Sequence, residues 1–567
     1  MDMAESLPQK GAEILIHSLI NENVDHIFAY PGGASMELHQ ALSKQDQIRV
    51  VLPRHEQGGG FSAAGYARAT GKTGVCMATS GPGGTNLLTA IADAHLDSIP
   101  LVAITGQVPR HLIGKTAFQE TDIIGMTLPI VKHSYLVVAI EDIPRIVSEA
   151  FHIANTGRPG VVHIDIPKNI QQQLATVDYN VEEKIPGYRH HIQATRQDIL
   201  KIREAIKNCK KPCAYVGGGI ISAGASEELL KFAESFNIPV VTTLMGVGSF
   251  PEKHKLSLKW LGMHGTYYGN YAANECDLLI CLGARFDDRV TGAVETFAAN
   301  SKIIHVDIDP SELNKNKKAD IGVNSDVKYV LEKLNQDPIY QDYTEWHESV
   351  QSWKKNYPLK YRQSEKLLPQ YAIEKLCEMT NGEAVIVPGV GQHQMWSGLF
   401  YTYSYPRQLL TSAGLGTMGF GLPTAIGAKI ACPEKTVINI DGDGSFQMNI
   451  QELGCAYAEN VGVKMVILNN QHLGMVAQWE DRFYDSNRGN TVLEQKKFGR
   501  PYPNFVEIAK GYGIPGRDVW TKEELEDAYR EMLETDGPFL LDIHTEFEEH
   551  VLPMIPPGGS YKDIILD

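Results

Sequence analysis

Two polar side chains follow two buried runs in the C-terminal third of the sequence, and their types suit a divalent cation. The run VINIDGDG (437–444) places Asp443 between two glycines, and the run KMVILNN (464–470) ends at Asn470, 27 residues after Asp443. Because the carboxyl ends of parallel strands meet at one edge of a sheet, both side chains are expected at the same ligand-binding edge. Mg²⁺ accepts carboxylate and amide oxygens as ligands, together with phosphate oxygens and water.

The residues around this pair indicate that the cation holds a diphosphate. Gly442 and Gly444 permit a sharp turn close to a phosphate, and Ser445 is predicted to open a helix whose N–H groups favour an anion. The backbone carbonyl of His472 is a third candidate ligand. A lone Gly-Asp-Gly is often only a turn, whereas its combination with Asn-Asn at this spacing is much more specific. The spacing resembles the thiamine diphosphate motif of thiamine-dependent enzymes.

A second acidic side chain is a candidate for the other end of such a cofactor. Thiamine diphosphate needs a carboxylate that hydrogen-bonds its aminopyrimidine ring, and shielding from water raises the pKa of such a group. Glu56 lies between a predicted strand and a Gly- and Ala-rich helix in the segment VLPRHEQGGGFSAAGYARATG (51–71). Taken alone, Glu56 is an ordinary solvated acid at a helix start. Together with the Asp443 motif, it becomes the candidate carboxylate.

Apolar runs of strand length alternate with amphipathic stretches along the chain, which predicts parallel sheets joined by crossover helices. Two polar linkers, 168–195 and 335–368, separate the chain into thirds, although WHESVQSWKKNY within the second has a helical pattern. For 567 residues, three α/β domains divided near residues 185 and 350 are therefore expected. The twelve predicted strands are 26–30, 75–79, 101–105, 161–167, 213–219, 239–244, 278–284, 303–309, 384–391, 437–444, 464–470 and 539–544.

Composition and charge argue against several classes of protein. Hydrophobic residues make up 43% and charged residues 21% of the chain, as in ordinary globular proteins. The formal net charge of −16 argues against nucleic acid or an anionic membrane as a partner. No apolar run approaches the length of a membrane span, and the eight cysteines form no CxxC pair. The N-terminal residues lack the features of a secretory signal or an Arg-rich transit peptide, so a cytoplasmic location is expected.

Nine motifs, in order along the chain, carry a family resemblance: YPGGASMELHQAL (30–42), PRHEQGG (53–59), TSGPGGTN (79–86), IGKTAFQE (113–120), LGMHGT (261–266), RFDDRVTG (285–292), VGQHQMW (390–396), GLGTMGFGLP (414–423) and GMVAQWEDRF (474–483). They resemble the large catalytic subunit of acetohydroxyacid synthase, also called biosynthetic acetolactate synthase. The RFDDRVTG motif separates this family from the flavin-independent catabolic acetolactate synthases, which lack it. The resemblance covers essentially the whole chain.

The resemblance implies a fold and a reaction. The fold is α/β, with three doubly wound domains that have mostly parallel six-stranded sheets, the thiamine-diphosphate-binding fold. The domains are an N-terminal pyrimidine-binding domain (1–185), a central FAD-binding domain (190–350) and a C-terminal diphosphate- and Mg²⁺-binding domain (365–567). The implied enzyme is a transferase that decarboxylates pyruvate on thiamine diphosphate and joins the hydroxyethyl unit to an acceptor. With a second pyruvate the product is 2-acetolactate, and with 2-oxobutyrate it is 2-aceto-2-hydroxybutyrate.

This reaction is the first common step of valine, leucine and isoleucine biosynthesis. The family pattern further implies a homodimer or homotetramer with active sites at the subunit interface, and a small regulatory subunit. FAD would be structural, because the net reaction passes no electrons to an acceptor.

The resemblance also implies roles for individual residues. Met418 would wedge between the two rings of the cofactor, and Trp479 would make room for 2-oxobutyrate. Without the resemblance, Met418 is ordinary core packing and Trp479 is an aromatic residue in a helix. The implied catalytic residues are Gly33, Glu56, Phe118, Gln119, Lys168, Met418 and Trp479. The implied thiamine diphosphate and Mg²⁺ contacts are Gln392, His393, Gly416, Thr417, Met418, Asp443, Gly444, Ser445, Asn470, His472, Leu473, Gly474 and Met475, with Asp443, Asn470 and His472 as metal ligands. The implied FAD contacts are Arg158, Gly218, Gly219, Thr243, Leu244, Leu261, Gly262, Met263, His264, Gly283, Arg285, Asp287, Asp307, Ile308, Asp326 and Val327.

Three alternatives stay open at this point. A pyruvate oxidase-like flavin and thiamine enzyme would need an electron acceptor. Glyoxylate carboligase fits less well because it lacks a Glu at the position of Glu56. A catalytically inactive homologue is disfavoured because Glu56, Gln119, Asp443 and Asn470 are all present. The tail HVLPMIPPGGSYKD (550–563) resembles a segment that closes over the active site, and a plain disordered tail is the other interpretation.

Overall fold

The strands form three parallel sheets and one short antiparallel ribbon in the part of the chain that is described. The computed structural model describes residues 7–181, 185–189, 192–493 and 501–567, so parts of the predicted linker 168–195 lie outside it. The strands are β1 (Gln9–Lys10), β2 (His26–Ala29), β3 (Arg49–Val51), β4 (Gly74–Ala78), β5 (Leu101–Gln107), β6 (His133–Leu136), β7 (Val161–Pro167), β8 (Leu174–Ala175), β9 (Pro212–Val216), β10 (Val240–Thr242), β11 (Ser257–Trp260), β12 (Leu278–Leu282), β13 (Lys302–Asp307), β14 (Ile321–Asn324), β15 (Val385–Pro388), β16 (Val437–Gly442), β17 (Lys464–Asn469), β18 (Gly516–Val519) and β19 (Phe539–His544).

Helices follow most strands and cover the faces of the sheets. The α-helices are α1 (Gly11–Asn21), α2 (Met36–Leu42), α3 (Glu56–Thr70), α4 (Pro82–Leu96), α5 (Ile123–Thr127), α6 (Ile143–Asn155), α7 (Lys168–Gln172), α8 (Arg196–Asn208), α9 (Gly218–Ser222), α10 (Ser226–Phe236), α11 (Tyr267–Glu275), α12 (Asp288–Thr291), α13 (Val327–Asn335), α14 (Thr344–Asn356), α15 (Pro369–Met379), α16 (Gln392–Phe400), α17 (Gly421–Ala431), α18 (Asp443–Phe446), α19 (Leu453–Ala458), α20 (Gly474–Phe483), α21 (Phe505–Gly511) and α22 (Lys522–Glu534). No helix in the described ranges is both long enough and apolar enough to cross a membrane.

The N-terminal sheet has six parallel strands in the order β3-β2-β4-β5-β7-β6. Every residue of β5 and β7 is buried, because helices cover both faces of the sheet. Alternate residues of β5 face different cores: Val102 and Ile104 pack with α1 and α6, whereas Leu101 and Ala103 pack with α3 and α4. The continuous apolar runs noted in the sequence are therefore strands buried on both faces.

The central sheet also has six parallel strands, in the order β11-β10-β9-β12-β13-β14. Its core combines the strands with α8, α10 and α13, whose apolar faces are buried. The predicted helix within the linker 335–368 is confirmed as α14, and its Trp346 donates a hydrogen bond to the carbonyl of Pro212 over 2.9 Å. The linker thus packs against the central sheet.

In the described part of the chain, the C-terminal sheet has five parallel strands, in the order β15-β16-β17-β19-β18, where six were expected. The sixth position, beside β15, holds only a single parallel bridge between Ile386 and Leu409. Two backbone hydrogen bonds, Ile386 N to Gln408 O (2.8 Å) and Leu410 N to Ile386 O (2.9 Å), join the segments before the chain turns away. Contact over so few residues is too short for a strand.

Helices α3 and α17 pack closely and join the N-terminal and C-terminal parts of the chain. A Cβ on Gly65 would lie 2.2 Å from the carbonyl oxygen of Thr424, and a Cβ on Gly427 would lie 1.8 Å from that of Ser62. Only glycine permits this backbone approach. One hydrophobic core therefore contains side chains of both sheets and both helices.

All twelve predicted strands are present, and the three-domain α/β class is confirmed. The sheets span residues 26–167, 212–324 and 385–544, each within one predicted domain range. The predicted helix after Asp443 differs in detail. Helix α18 begins at Asp443 rather than Ser445 and ends at Phe446, and a 3₁₀ segment, Gln447–Glu452, follows. Asn449 leaves helical geometry there because its Nδ2 donates to Gly419 O (2.8 Å) and Gln57 Oε1 (3.2 Å).

Candidate active site

Asp443 lies at the carboxyl end of β16 with a buried and incompletely paired carboxylate. It is 1% exposed, and its Oδ2 has no hydrogen-bond partner in the described part of the chain. Burial raises the pKa of this carboxyl group to about 7, partly offset by backbone N–H groups that include those of Asn470 and Gly444. A buried carboxylate oxygen without a partner is a group that a cation would satisfy. The structure therefore places Asp443 beside the Asn470 loop, as the sequence predicted.

The backbone of Gly474 packs tightly against the side-chain amides of Asn470 and Gln392, so a larger residue at position 474 would collide with both. Asn470 Oδ1 accepts from the N–H of His472 at 3.0 Å, and Asn470 Nδ2 lies 3.4 Å from Gln392 Oε1. A Cβ on Gly474 would lie 2.1 Å from Gln392 Oε1 and 2.7 Å from Asn470 Nδ2. Amide oxygens at the ends of parallel strands, with glycines at the closest approach, suit a small anion held through a cation.

Met418, Leu473 and Ser445 complete the surroundings of Gly444. A Cβ on Gly444 would lie 2.6 Å from Leu473 Cδ2 and 3.7 Å from Met418 Cε. The hydroxyl of Ser445 accepts from the N–H groups of Gly419 (3.1 Å) and Val390 (3.4 Å), which fixes two neighbouring loops around it. The structure thus brings together the predicted Met418 and Asp443 segments. The residues present fit Mg²⁺ and a diphosphate.

His393 lies on the other side of the Asp443 turn, at the start of α16. Its Nε2 is 3.3 Å from Asp441 Oδ1, and both side chains are buried. A Cβ on Gly442 would lie 2.8 Å from His393 Nδ1, so the ring packs directly on the backbone of the turn. Gln392, the preceding residue, donates from Nε2 to Gln478 Oε1 and to the carbonyl of Glu549, both at 2.9 Å.

A second group of predicted residues surrounds the turn after β4 in the N-terminal part. Glu56 is the first residue of α3, and its Oε2 accepts from Asn86 Nδ2 at 2.9 Å. A Cβ on Gly83 would lie 3.5 Å from Glu56 Oε1, and one on Gly81 would lie 2.8 Å from the carbonyl oxygen of Gln119. Gln119 has a left-handed backbone with φ of 58°. Glu56 and Gln119 therefore both lie against the turn that contains Gly81 and Gly83, although 63 residues separate them in the sequence.

The loop that carries Gly33 reaches the same turn. The N–H of Ala34 donates to Thr79 Oγ1 at 3.0 Å, so this N–H is already used and does not face a ligand. The family resemblance suggests that N–H groups of this loop, at Gly33 and Ala34, support developing negative charge, and the bond to Thr79 rules out the N–H of Ala34. A Cβ on Gly33 would meet no heavy atom within 4 Å, which leaves open space beside it.

The remaining predicted catalytic residues are Phe118 and Lys168 in the N-terminal domain and Trp479 in the C-terminal domain. Phe118 is 89% exposed, Lys168 begins α7 and is half-buried, and Trp479 on α20 is half-buried against Phe483 at a ring distance of 5.6 Å. Among the described residues, no hydrogen bond or ion pair joins Glu56, Phe118 or Lys168 to the Asp443 group, here the residues around Asp443 and Asn470. The predicted residues thus form two half-sites, one with Glu56 at the N-terminal sheet and one with Asp443 at the C-terminal sheet.

The two half-sites are connected through Glu452, a residue that no sequence motif singles out. Its buried carboxylate accepts from the N–H of Arg54 at 3.0 and 3.1 Å, and burial raises its pKa to about 7. A Cβ on Gly58 would lie 2.3 Å from Glu452 Oε1. The turn that carries Glu56 is thus held by the same 3₁₀ segment that follows Asp443.

A cavity of about 610 Å³ lies between all three sheets. It is lined by fifteen of the sixteen predicted FAD contacts, and Gly262 is the exception, because its neighbours Leu261 and Met263 face the cavity instead. Tyr215 OH, His264 Nδ1 and Glu312 Oε2 are buried in its wall without hydrogen-bond partners in the described ranges. Burial raises the pKa of Asp307 to about 6 and lowers that of His264 to about 4. An elongated dinucleotide with hydrogen-bonding groups fits this cavity.

The C-terminal tail is ordered and bridges the third sheet and the cavity wall. Val551 N donates to Gln478 Oε1 (2.7 Å), and Ile555 N donates to the carbonyl of Met263 (2.7 Å). Further along, the Gly559 carbonyl accepts from Ala293 N at 3.1 Å, and Tyr561 bonds Glu275. The tail is therefore a packed segment, and the disordered alternative is wrong.

Comparisons with known proteins match each sheet region to one domain model. The models are the thiamine pyrophosphate enzyme N-terminal TPP binding domain (residues 9–126), the central domain (199–334) and the C-terminal TPP binding domain (389–543). The chain is 53% identical over 570 residues to "Acetolactate synthase 1, chloroplastic" of Oryza sativa subsp. japonica. This match covers 99% of the chain and 88% of the relative.

The chain belongs to the acetolactate synthase family of thiamine pyrophosphate enzymes. "Acetolactate synthase 1, chloroplastic" of Zea mays is 54% identical over 99% of this chain and 89% of its own length. "Acetolactate synthase, chloroplastic" of Arabidopsis thaliana is 52% identical over 100% of this chain and 85% of its own length. These names do not support the cytoplasmic location expected from the sequence. The family assignment itself agrees with the resemblance carried by the nine motifs.

Proposed function

We propose that this chain is the catalytic subunit of an acetolactate synthase. It would decarboxylate pyruvate and transfer the hydroxyethyl unit to a second pyruvate or to 2-oxobutyrate. The observation that carries the proposal is the match over 99% of the chain to relatives that are all named acetolactate synthase. The geometry supports this proposal, because one chain has both a buried Asp443 carboxylate oxygen that a cation would satisfy and a cavity large enough for a dinucleotide.

In this proposal, Asp443 and Asn470 hold Mg²⁺ through their side-chain oxygens, with the His472 carbonyl as a third ligand. Bound thiamine diphosphate would supply a carbon nucleophile and a positively charged ring that takes up the electron pair left when carbon dioxide departs. Gln392, His393 and the segment Gly444–Ser445 border the diphosphate. Met418, which lies beside Gly444, would pack against the rings of the cofactor and orient them. These residues bind and orient, and the closely packed surroundings exclude water.

In this proposal, Glu56 would hydrogen-bond the aminopyrimidine ring and exchange a proton with it. Its carboxylate is half-buried at the start of α3 and is oriented by Asn86. Gln119, Gly33, Phe118 and Lys168 would face the substrate from the same domain, and Trp479 would contact the acceptor. The exposure of Phe118, at 89%, is consistent with a partner that covers it.

The two half-sites lead us to propose a homo-oligomer in which one subunit supplies Glu56 and its partner supplies the Asp443 group. A complementation experiment tests this arrangement. The Glu56→Gln and Asp443→Ala variants should each be nearly inactive. After random 1:1 reassociation of the two variants, the whole dimer population should regain about a quarter of wild-type sites, because half the dimers are mixed and each mixed dimer has one intact site out of two. Absence of any recovery in demonstrated mixed dimers would contradict a shared site.

FAD is proposed to occupy the cavity and to serve the structure without redox turnover. The limits 1–185, 190–350 and 365–567 are proposed as the domain boundaries, since the polar linkers separate the three sheets there. A small regulatory subunit and a cytoplasmic location remain predictions. Limited proteolysis would check the boundaries, with cleavage expected between the sheets.

Product identification tests the activity. The purified chain is incubated with pyruvate, Mg²⁺, thiamine diphosphate and FAD, with and without 2-oxobutyrate. We expect 2-acetolactate in the first case and additional 2-aceto-2-hydroxybutyrate in the second. Glu56→Gln should abolish most product while Mg²⁺ and thiamine diphosphate still bind. The matched control is Glu523→Gln, an exposed acid in the first turn of α22, which should retain activity.

A further inference from the structure

One segment of the C-terminal domain belongs to both cofactor regions. Residues 411–418, here called the shared segment, line the large cavity with Thr411, Ser412, Ala413 and Gly416. The same segment ends in Met418, whose Cε lies beside Gly444 in the candidate thiamine diphosphate site. A ligand in either region therefore contacts the same short stretch of chain.

The shared segment is fixed by a buried charged cluster from the N-terminal domain. The cluster consists of Arg68 on α3, Asp93 on α4 and Asp97, which follows α4. The Arg68 side chain is 3% exposed, and those of Asp93 and Asp97 are 0% and 1% exposed. Arg68 Nη2 lies 2.8 Å from Asp93 Oδ2 and 2.8 Å from Asp97 Oδ2. Charges this deeply buried are costly unless they are paired and hydrogen-bonded, so the cluster holds a defined geometry.

Each member of the cluster also bonds the shared segment. Asp93 Oδ1 accepts from Ser412 Oγ and, at 3.1 Å, from Thr417 Oγ1. Asp97 accepts from the N–H groups of Gly414 (2.7 Å) and Ala413 (3.2 Å). Arg68 Nη1 donates to the carbonyl of Thr411 at 3.0 Å.

The bonds from the cluster reach both ends of the segment. Ser412 Oγ accepts from the N–H of Thr417 at 2.9 Å, so the cavity-lining end and the end near Met418 are tied together at Asp93. A displacement of one end therefore moves the bonding partners of the other.

We propose that Asp93, Arg68 and Asp97 are positioning residues that couple ligand binding in the large cavity to ligand binding at the thiamine diphosphate site. The inference rests on the proposed function, because that proposal assigns FAD and thiamine diphosphate to the two regions. FAD in the cavity would order the cavity-lining end of the shared segment, and the cluster would carry this order to Gly416–Met418. A flavin without redox turnover thereby contributes to the carboligase site.

The proposal predicts a reciprocal coupling between the two ligands. The dissociation constant of thiamine diphosphate, with Mg²⁺ in excess, is measured by tryptophan fluorescence on the cofactor-free full chain, with and without saturating FAD. The dissociation constant of FAD is measured by flavin fluorescence, with and without thiamine diphosphate. Linkage requires the two ratios to be equal, and typical couplings are about 5- to 150-fold. For wild type we expect each ligand to tighten the other by such a factor.

In Asp93→Asn, the coupling factor should fall toward unity. The amide cannot accept from the hydroxyls with a charge-assisted bond and pairs poorly with Arg68. Asp165→Asn is the matched control, because Asp165 is equally buried in the same domain but bonds Thr105 and Gln107. The control should keep the wild-type coupling factor, which separates coupling from general loss of stability in the N-terminal domain.

Thr417→Val keeps the test decisive if Asp93→Asn does not fold. Valine preserves the shape and the backbone N–H but removes the hydroxyl that donates to Asp93, so the coupling factor should fall several-fold. Wild-type coupling in a folded Asp93→Asn or Thr417→Val variant overturns the inference, and so does independent binding of the two ligands to wild type. In both cases the proposed function survives, since both cofactors bind. If neither cofactor binds the wild-type chain, both the inference and the proposed function are wrong.

Discussion

Replacement of Gly474 by alanine should weaken Mg²⁺-dependent binding of thiamine diphosphate about 10- to 100-fold. The new methyl carbon would lie 2.1 Å from Gln392 Oε1 and 2.7 Å from Asn470 Nδ2. Ordinary contact begins at about 3.5 Å, so Gln392 must shift by about 1 Å or more. It cannot shift freely, because its Nε2 bonds Gln478 and the Glu549 carbonyl, both at 2.9 Å. The strain therefore falls on Asn470, a proposed metal ligand.

A 10- to 100-fold loss corresponds to about 1.4–2.7 kcal/mol. The assay is a fluorescence titration of the cofactor-free chain with thiamine diphosphate at fixed Mg²⁺. Gly511→Ala is the matched control: Gly511 ends α21 in the same domain, and a Cβ there meets no heavy atom within 4 Å. The control should bind as wild type does. Wild-type affinity in a correctly folded Gly474→Ala variant would refute the placement of the diphosphate site beside Gln392 and Asn470.

Three further outcomes are expected. Burial lowers the pKa of His163 to about 3. In the unfolded chain His163 takes up a proton below its pKa of about 6.5, whereas in the folded chain it stays neutral. The free energy of unfolding is therefore unaffected by His163 above pH 6.5 and decreases as the pH is lowered, by about 2.5 kcal/mol at pH 4.5. The urea midpoint of wild type should accordingly drop more steeply between pH 6.5 and 4.5 than that of His163→Asn. Gly427→Ala would place a carbon 1.8 Å from the Ser62 carbonyl oxygen and should destabilise the chain by about 1–3 kcal/mol, measured as a lower thermal midpoint than that of Gly511→Ala. Trp479→Ala should reduce the ratio of 2-aceto-2-hydroxybutyrate to 2-acetolactate by about tenfold with both acceptors present, since pocket contacts of one methylene are worth about 1–3 kcal/mol; an unchanged ratio would remove Trp479 from the acceptor pocket.

The strands that sequence patterns predict are mostly the inner strands of the sheets. Runs such as Leu101–Gln107 and Lys464–Asn469 are buried on both faces and read as continuous apolar segments. In the three parallel sheets, as far as the chain is described, five strands have no prediction, and all five are edge strands: β3, β6, β11, β14 and β18. Their residues are partly exposed, as in His133–Leu136, and they are short. The hydrophobic pattern of these edge segments is therefore weak, and pairing with the neighbouring strand determines their β-structure.

The candidate site shows a similar division. Asp443 and Asn470 were predictable because strand ends and glycines leave a local pattern in the sequence. The partners that orient the site were not, because they come from distant segments. Glu452 binds the Arg54 turn, and Asp93 binds residue 417, more than 300 positions away. Such contacts depend on how the domains pack, which no local pattern encodes.

The stoichiometry of carbon dioxide release is the sharpest test of the proposal that this chain joins two pyruvate molecules. The chain is loaded with Mg²⁺, thiamine diphosphate and FAD and supplied with pyruvate under anaerobic conditions, without a quinone or another electron acceptor. We expect one carbon dioxide to be released for every two pyruvate molecules consumed, with 2-acetolactate as the product, as the carboligase proposal requires. Pyruvate consumption that begins only when an electron acceptor is added, with one carbon dioxide released for each pyruvate, would contradict it.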